Sequence, residues 1–162
     1  MALSGTKATS RPWKAQTMPA TTRMMPAIRF TPPKLLRSLP SPAMSERLDA
    51  WMDGYVLAWS TNDPDDISAL FSPGAIYDPQ TADGEWEGLD QIIEQWQEID
   101  DQEGNWDFEW AALVETDELA VVTARTRYFD PPASYRNLFV IRFDHQDRCY
   151  DFTEWYIEED DT

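Results

Sequence analysis

Residues 134–158 read SYRNLFVIRFDHQDRCYDFTEWYIE, and this stretch decides the fold. Two runs rich in β-branched and aromatic residues flank the polar cluster DHQDR, a pattern that predicts a β-hairpin. Successive side chains of a strand point to opposite faces, so alternate residues of each arm share a face. In the first arm, one face carries Tyr135, Asn137, Phe139, Ile141 and Phe143. Neither face is fully polar, so we expect both to be covered at least in part.

The residues before the hairpin supply the layers that an isolated hairpin needs for stability. Apolar residues three and four positions apart predict one helix from Ser45 to Thr61 and another over residues 89–99. Between them, Asp63 is predicted to cap a short helix that ends near residues 72–74. Strands are predicted over residues 75–77, 106–115 and 119–129. Helices placed ahead of consecutive strands favour an α+β domain.

The first 44 residues differ from the rest in composition. They hold seven basic residues, no acidic residue and most of the prolines, which predicts a disordered tail over residues 1–44 and a folded domain over residues 45–162. Two interpretations of the tail remain open. It is either an organelle targeting segment or a translated upstream region, with Met44 as the true start.

The predicted domain is strongly acidic. It keeps six of the 13 basic residues against all 30 acidic ones, a formal charge of −24. Such a surface repels nucleic acid and anionic membranes. No segment approaches the roughly 20 apolar residues that span a bilayer. We therefore expect a cytoplasmic protein with neither nucleic acid nor membrane as a partner.

The chain also lacks the usual cofactor motifs. It has no Gly-rich phosphate loop and no metal-ligand spacing, so we expect no cofactor and no metal. The single histidine, His145, falls in the predicted hairpin turn, which argues against histidine-dependent acid–base chemistry. The single cysteine, Cys149, lies in a strand pattern that is typical of a core residue.

Two runs in the first half of the domain resemble the NTF2-like superfamily, and most closely its SnoaL-like and ketosteroid-isomerase-like branch. They read GYVLAWSTNDPDDISALFSPGAIYDP (54–79) and WEGLDQIIEQW (86–96), and the resemblance extends over about residues 45–158. It implies a cone in which a curved, mostly antiparallel sheet wraps around three N-terminal helices and an apolar pocket. The superfamily includes isomerases, cyclases, dehydratases, hydrolases and non-catalytic binders, so the fold alone does not define a reaction.

Two residues match the isomerase pattern. Tyr55 falls where that family places a tyrosine that donates a hydrogen bond to the substrate carbonyl. Asp78, directly before Pro79, falls where it places the aspartate that moves the proton. Each residue also has a structural interpretation, because Tyr55 continues the apolar stripe of its helix and Asp-Pro is an ordinary turn.

One position departs from that pattern. The isomerases add a protonated aspartate beside the tyrosine, and Phe139 holds the corresponding place here. Phenylalanine donates no hydrogen bond, so the resemblance leaves Asn137 on the same face as a weaker substitute.

The remaining candidates are polar and aromatic residues. The resemblance places Arg125 and Arg127 in the pocket, where one of them would pair with Glu154, next to Tyr156. The alternative is a surface ion pair on the convex face, which a slip of one residue in register would produce.

Aromatic residues complete the expected site and interface. Trp59, Trp86 and Trp96 are expected to border the mouth of the cone and stack on a flat or apolar ligand. Trp106 and Trp110 are expected on the outer sheet face, where related proteins form a homodimer. The resemblance thus implies a domain that binds a small hydrophobic or carbonyl-containing molecule. Two hypotheses follow: a cofactor-independent isomerase, cyclase or dehydratase with Asp78 as base, or a non-catalytic binding or accessory domain.

Overall fold

The computed structural model describes residues 46–98, 101 and 104–159, and the tail predicted over residues 1–44 lies outside them. Three helices and six strands follow one another along this part of the chain. They are α1 (Glu46–Thr61), α2 (Pro64–Leu70), β1 (Phe71–Asp78), β2 (Trp86–Glu87), α3 (Leu89–Glu98), β3 (Trp106–Glu115), β4 (Leu119–Phe129), β5 (Pro132–Phe143) and β6 (Cys149–Glu158). The α+β class expected from the sequence is confirmed.

The strands form one sheet in the order β2-β1-β6-β5-β4-β3. β1 and β6 run parallel, and every other neighbouring pair is antiparallel. The β5–β6 hairpin forms as predicted, with residues 144–148 as its turn, but β5 begins at Pro132, two residues before the predicted start. The central pairing places Phe139 opposite Glu154 and Ile141 opposite Phe152.

Helices cover one face of this sheet, here called the inner face, which carries Phe139, Ile141 and Phe152. The core lies between that face and the apolar sides of α1, α2 and α3. The opposite face, called the outer face, is exposed in the single chain, where Ile157 is 69% exposed and Trp155 is 38% exposed. The described residues therefore cover only the inner face of the hairpin, whereas the sequence predicts partial cover on both faces.

Two local predictions are wrong. The short helix is predicted to end near residues 72–74, but Phe71 has extended backbone angles and pairs with Cys149, so the helix ends at Leu70 and the strand begins before residue 75. No strand is predicted from the sequence over residues 86–87, but β2 forms there and pairs with β1 through Tyr77 and Trp86. Both errors arise because strand pairing with distant residues overrides local pattern.

The turn from β2 into α3 depends on a glycine. Gly88 has a φ of +86°, a region that residues with a Cβ rarely adopt. Its N–H donates to the carbonyl of Ala75 at 2.8 Å, which fixes the start of α3 against β1. None of the helices in the described part of the chain is long and apolar enough to cross a membrane.

Candidate functional site

A chain of hydrogen-bonded polar side chains lies inside the core and is here called the Glu154 chain. The Tyr77 hydroxyl donates to Glu154 Oε2 at 2.5 Å, and Asn137 Nδ2 donates to Glu154 Oε1 at 3.3 Å. The Thr126 hydroxyl donates to Asn137 Oδ1 at 3.0 Å. The Tyr55 hydroxyl lies within hydrogen-bonding reach of Tyr77. All five residues are buried, so the fold places a carboxylate and two phenols in its interior.

Strand alternation explains how these polar groups become buried. Asn137 lies two residues before Phe139 on β5, and Glu154 lies two residues after Phe152 on β6. Thr126 holds an inner position of β4, between two buried neighbours on the same face. A buried polar group needs a partner, and the pairing of these strands brings the partners within reach.

Aromatic rings surround the two phenols. The Tyr55 ring centroid lies 5.4 Å from that of Trp96 and 5.4 Å from that of Phe139. The Tyr77 ring stacks on Trp86 with 4.5 Å between centroids. The polar chain therefore ends in a largely aromatic environment.

A second polar group, the Asp101 cluster, consists of Trp59, Asp101, Trp106 and Tyr128. Asp101 Oδ2 accepts hydrogen bonds from Trp59 Nε1 and from the Tyr128 hydroxyl, both at 2.8 Å. The Trp59 ring stacks on Trp106 with 3.8 Å between centroids and 6° between planes. Within the described part of the chain, Asp101 Oδ1 and the indole nitrogens of Trp96 and Trp106 are buried without a hydrogen-bond partner.

Burial and negative charge keep the phenols protonated. Burial, followed by the charge of Glu154, raises the pKa of Tyr55 and of Tyr77 well above the usual value. Burial, followed by the charge of Asp101, raises the pKa of Tyr128 as well. Both carboxylates act on Tyr55 and on Tyr128, so the Glu154 chain and the Asp101 cluster form one electrostatic region.

Most of the residues singled out from the sequence lie on the inner side. Tyr55, Asn137, Phe139 and Glu154 are buried there, and Tyr156 is half-buried. The three indoles expected at the mouth of a cone are instead packed in the core: Trp59, Trp86 and Trp96.

Asp78 has the geometry of a turn residue. Its Oδ1 accepts a hydrogen bond from the backbone N–H of Gln80 at 2.8 Å, and its Oδ2 accepts one from the Gln80 side-chain amide. The alternation of β1 puts Tyr77 inward, so the neighbouring Asp78 takes the other side and is half-buried. The turn interpretation of Asp-Pro thus describes the contacts that Asp78 makes.

The arginines lie on the outer face, so their expected place inside is wrong. Arg125 and Arg127 are exposed because the inner positions of β4 belong to Ala124 and Thr126. Arg125 pairs with Glu159 at 2.8 Å rather than with Glu154, as in the alternative of a surface ion pair.

The expected place of the two β3 tryptophans is also wrong. Trp106 and Trp110 pack against the core, because β3 turns its even-numbered residues inward over residues 106–112.

Sequence reasoning missed Tyr77, Asp101, Thr126 and Tyr128. Tyr77 precedes Asp78 in the same short strand, and only its pairing with Phe152 shows which of the two faces the core. Asp101 belongs to an acidic run, DDQE, that has the composition of a solvated loop. Alternation along β4 was the one usable signal for Thr126 and Tyr128.

Several solved structures have a fold similar to that of this chain. A protein of unknown function with a cystatin-like fold from Methylobium petroleophilum has a TM-score of 0.59 and 17% identity, over 74% of this chain and 82% of that one. An NTF2-like protein from Burkholderia xenovorans has a TM-score of 0.59 and 11% identity, over 72% and 88%. A ketosteroid isomerase-like protein from Erwinia carotovora atroseptica has a TM-score of 0.54 and 16% identity, over 72% and 100%.

The chain thus shares its α+β fold with NTF2-like structures. No curated protein sequence matches the chain. The model of the SnoaL-like domain matches residues 51–151, more than half of the chain, and the chain therefore belongs to the SnoaL-like domain family.

Proposed function

We propose that this SnoaL-like domain binds a small, largely apolar organic molecule in an interior pocket between its helices and the inner face of the sheet. The observation that carries the proposal is the pair of indole N–H groups, on Trp96 and Trp106, that are buried without an acceptor in the described structure. Buried donors in native proteins almost always have a partner, and a carbonyl or hydroxyl oxygen of a ligand supplies one.

A thermal-shift panel tests this proposal. Ketones and polyketide-like carbonyl compounds should raise the melting temperature in a concentration-dependent way, because a ligand that binds only the folded state stabilises it. Hydrocarbons of the same shape should bind more weakly. Trp96→Phe keeps a ring and removes the donor, so it should reduce the preference for the carbonyl compound. Trp155→Phe on the outer face is the matched control. A panel without any shift contradicts the proposal.

A second candidate function is cofactor-independent proton transfer of the isomerase, cyclase or dehydratase type. It is favoured by the buried carboxylate of Glu154, which accepts a hydrogen bond from the Tyr77 hydroxyl. A carboxylate in an apolar site can act as a base, and a nearby phenol such as Tyr55 can stabilise a developing enolate. We assign the base to Glu154 rather than Asp78, because the Asp78 carboxylate is engaged by Gln80.

Two variants distinguish the candidate bases by their turnover of any substrate that the panel identifies. Glu154→Gln should abolish turnover, whereas Asp78→Asn should retain it. The reverse result returns the role of base to Asp78. Binding without turnover in the parent protein would leave the non-catalytic binding domain as the function.

We further propose that the outer face carries a homodimer contact. Arg125, Arg127, Arg136 and Arg142 are exposed there in an otherwise acidic domain, beside apolar residues such as Ile157. Arg125 and Arg136 pair with Glu159, and Arg142 pairs with Asp151, so this face carries less net charge than the rest of the acidic surface and two copies repel each other least through it. Sedimentation equilibrium should give a dimer that Ile157→Glu dissociates, and a monomer at all concentrations would contradict this.

A further inference from the structure

The Asp101 cluster carries an unsatisfied acceptor in an aromatic surround. Asp101 Oδ2 is fully engaged by Trp59 and Tyr128, but Oδ1 is buried and makes no hydrogen bond to the described residues. A buried acceptor without a partner destabilises the folded state, and a charged acceptor does so more strongly than a neutral one. A ligand group that donates a hydrogen bond to Oδ1 removes this cost.

The charge of the interior specifies what kind of donor fits. The buried polar and charged residues are Thr126, Asn137 and Glu154, so the described core contains no buried Lys, Arg or His. The negative charges of Glu154 and Asp101 act on the same tyrosines, Tyr55 and Tyr128. Glu154 is buried and Asp101 is half-buried, and their two negative charges favour a ligand that carries a positive charge over a neutral one.

The walls of the cluster match the same chemistry. Trp59 and Trp106 present stacked indole rings, and Trp59 also packs against the edge of Phe108 at 5.6 Å. These rings shield the Asp101 carboxylate from water, and a lower local dielectric strengthens its attraction for an ammonium group.

From this geometry we propose that Asp101 anchors a protonated amine of the ligand, with Trp59, Trp106 and Tyr128 as the surrounding rings. The inference rests on the proposed function, an interior that binds a small apolar molecule, and names its chemical class: an apolar or aromatic amine. The ammonium group donates to Asp101 Oδ1, and the apolar body of the ligand packs against the surrounding rings.

Matched pairs of amines and alcohols test the proposal, with 2-phenylethylamine against 2-phenylethanol and tryptamine against tryptophol as probes. Isothermal titration at pH 7 should give the amine an affinity about tenfold higher than that of the alcohol, a difference of about 1.4 kcal/mol. Asp101→Asn keeps the shape and should remove this preference. Asp107→Asn is the control, because Asp107 is exposed on β3 and the change removes the same formal charge.

Each outcome decides one of the two proposals. Equal or tighter binding of the alcohols, or a preference for amines that survives Asp101→Asn, overturns the amine site and leaves the proposed small-molecule function standing. Failure of all four probes overturns the amine site, while ketone binding in the thermal-shift panel decides the function separately. If Asp101→Asn does not fold, the indole N–H resonance of Trp59 in the parent protein decides. It must shift with the amine and not with the alcohol.

Discussion

At the scale of single residues, the unusual feature is a buried carboxylate that accepts hydrogen bonds from neutral side chains. Glu154 is fully buried, and Tyr77 and Asn137 donate to its two oxygens. Hydrogen bonds from neutral donors stabilise a buried carboxylate without a second charge, which itself would have to be desolvated. The core therefore depends on these donors.

Removing the Tyr77 hydroxyl, which donates a hydrogen bond to Glu154, should destabilise the domain. Tyr77→Phe keeps the ring and removes the O–H that donates to Glu154 Oε2. Hydrogen bonds to charged groups contribute about 1.5–3 kcal/mol, so the free energy of unfolding in urea should fall by about that amount. Tyr150→Phe on the exposed side of β6 is the control and should change stability by less than about 0.5 kcal/mol. Equal effects of the two variants would show that the buried bond contributes nothing.

Asp78 should behave as a turn residue. Asp78→Ala removes the acceptor of the Gln80 backbone N–H. A hydrogen bond of this kind contributes about 0.5–1.5 kcal/mol, and the free energy of unfolding should fall by that amount. Asp83→Ala, an exposed change in the same connection, should have almost no effect. A more stable Asp78→Ala variant would contradict the turn role, because it would indicate that burial of the carboxylate destabilises the folded state.

At the scale of elements, the β5–β6 hairpin was predictable because its alternation and its polar turn are both local signals. The inward positions of Asn137, Phe139 and Glu154 follow from that alternation. The side on which Arg125 lies depends on the register of β4 against β5, which only the long-range pairing defines. For the same reason the sequence indicated Glu154 but not its partner Tyr77, which reaches it across the parallel β1–β6 pair.

The start of α2 is a second local signal that the structure confirms. Asp63 caps the helix, and its Oδ1 accepts the backbone N–H of Asp65 at 2.8 Å. Asp63→Ala should lower the free energy of unfolding by about 1 kcal/mol, since it removes the capping acceptor. Asp63→Asn, which keeps an acceptor, should stay within about 0.5 kcal/mol of the parent protein. If the two variants are equally destabilised, the cap is not what stabilises this helix end.

At the scale of the whole molecule, buried phenols couple stability to alkaline pH. Burial raises the pKa of Tyr55, Tyr77 and Tyr128 in the folded state above the value of about 10 expected in an unfolded chain. Above about pH 10 the unfolded state loses these protons and the folded state keeps them, so stability falls as pH rises. Below that pH the contribution is fully present.

An alkaline titration followed by two signals measures this coupling. The phenolate absorbance of the buried tyrosines should develop together with the loss of near-ultraviolet circular dichroism, because they ionise only when the core opens. Full ionisation of all six tyrosines in a protein that keeps its near-ultraviolet spectrum would contradict their burial.

The claim that the interior is a small-molecule site is tested most directly by the indole N–H resonances in a ¹H–¹⁵N spectrum. Titration with a ligand from the carbonyl panel should shift the resonances of Trp96 and Trp106, whose N–H groups lack an acceptor in the described structure. The resonance of Trp155, which is 38% exposed on the outer face, should remain in place. Shifts confined to Trp155, with Trp96 and Trp106 unchanged at saturating ligand, would contradict an interior site.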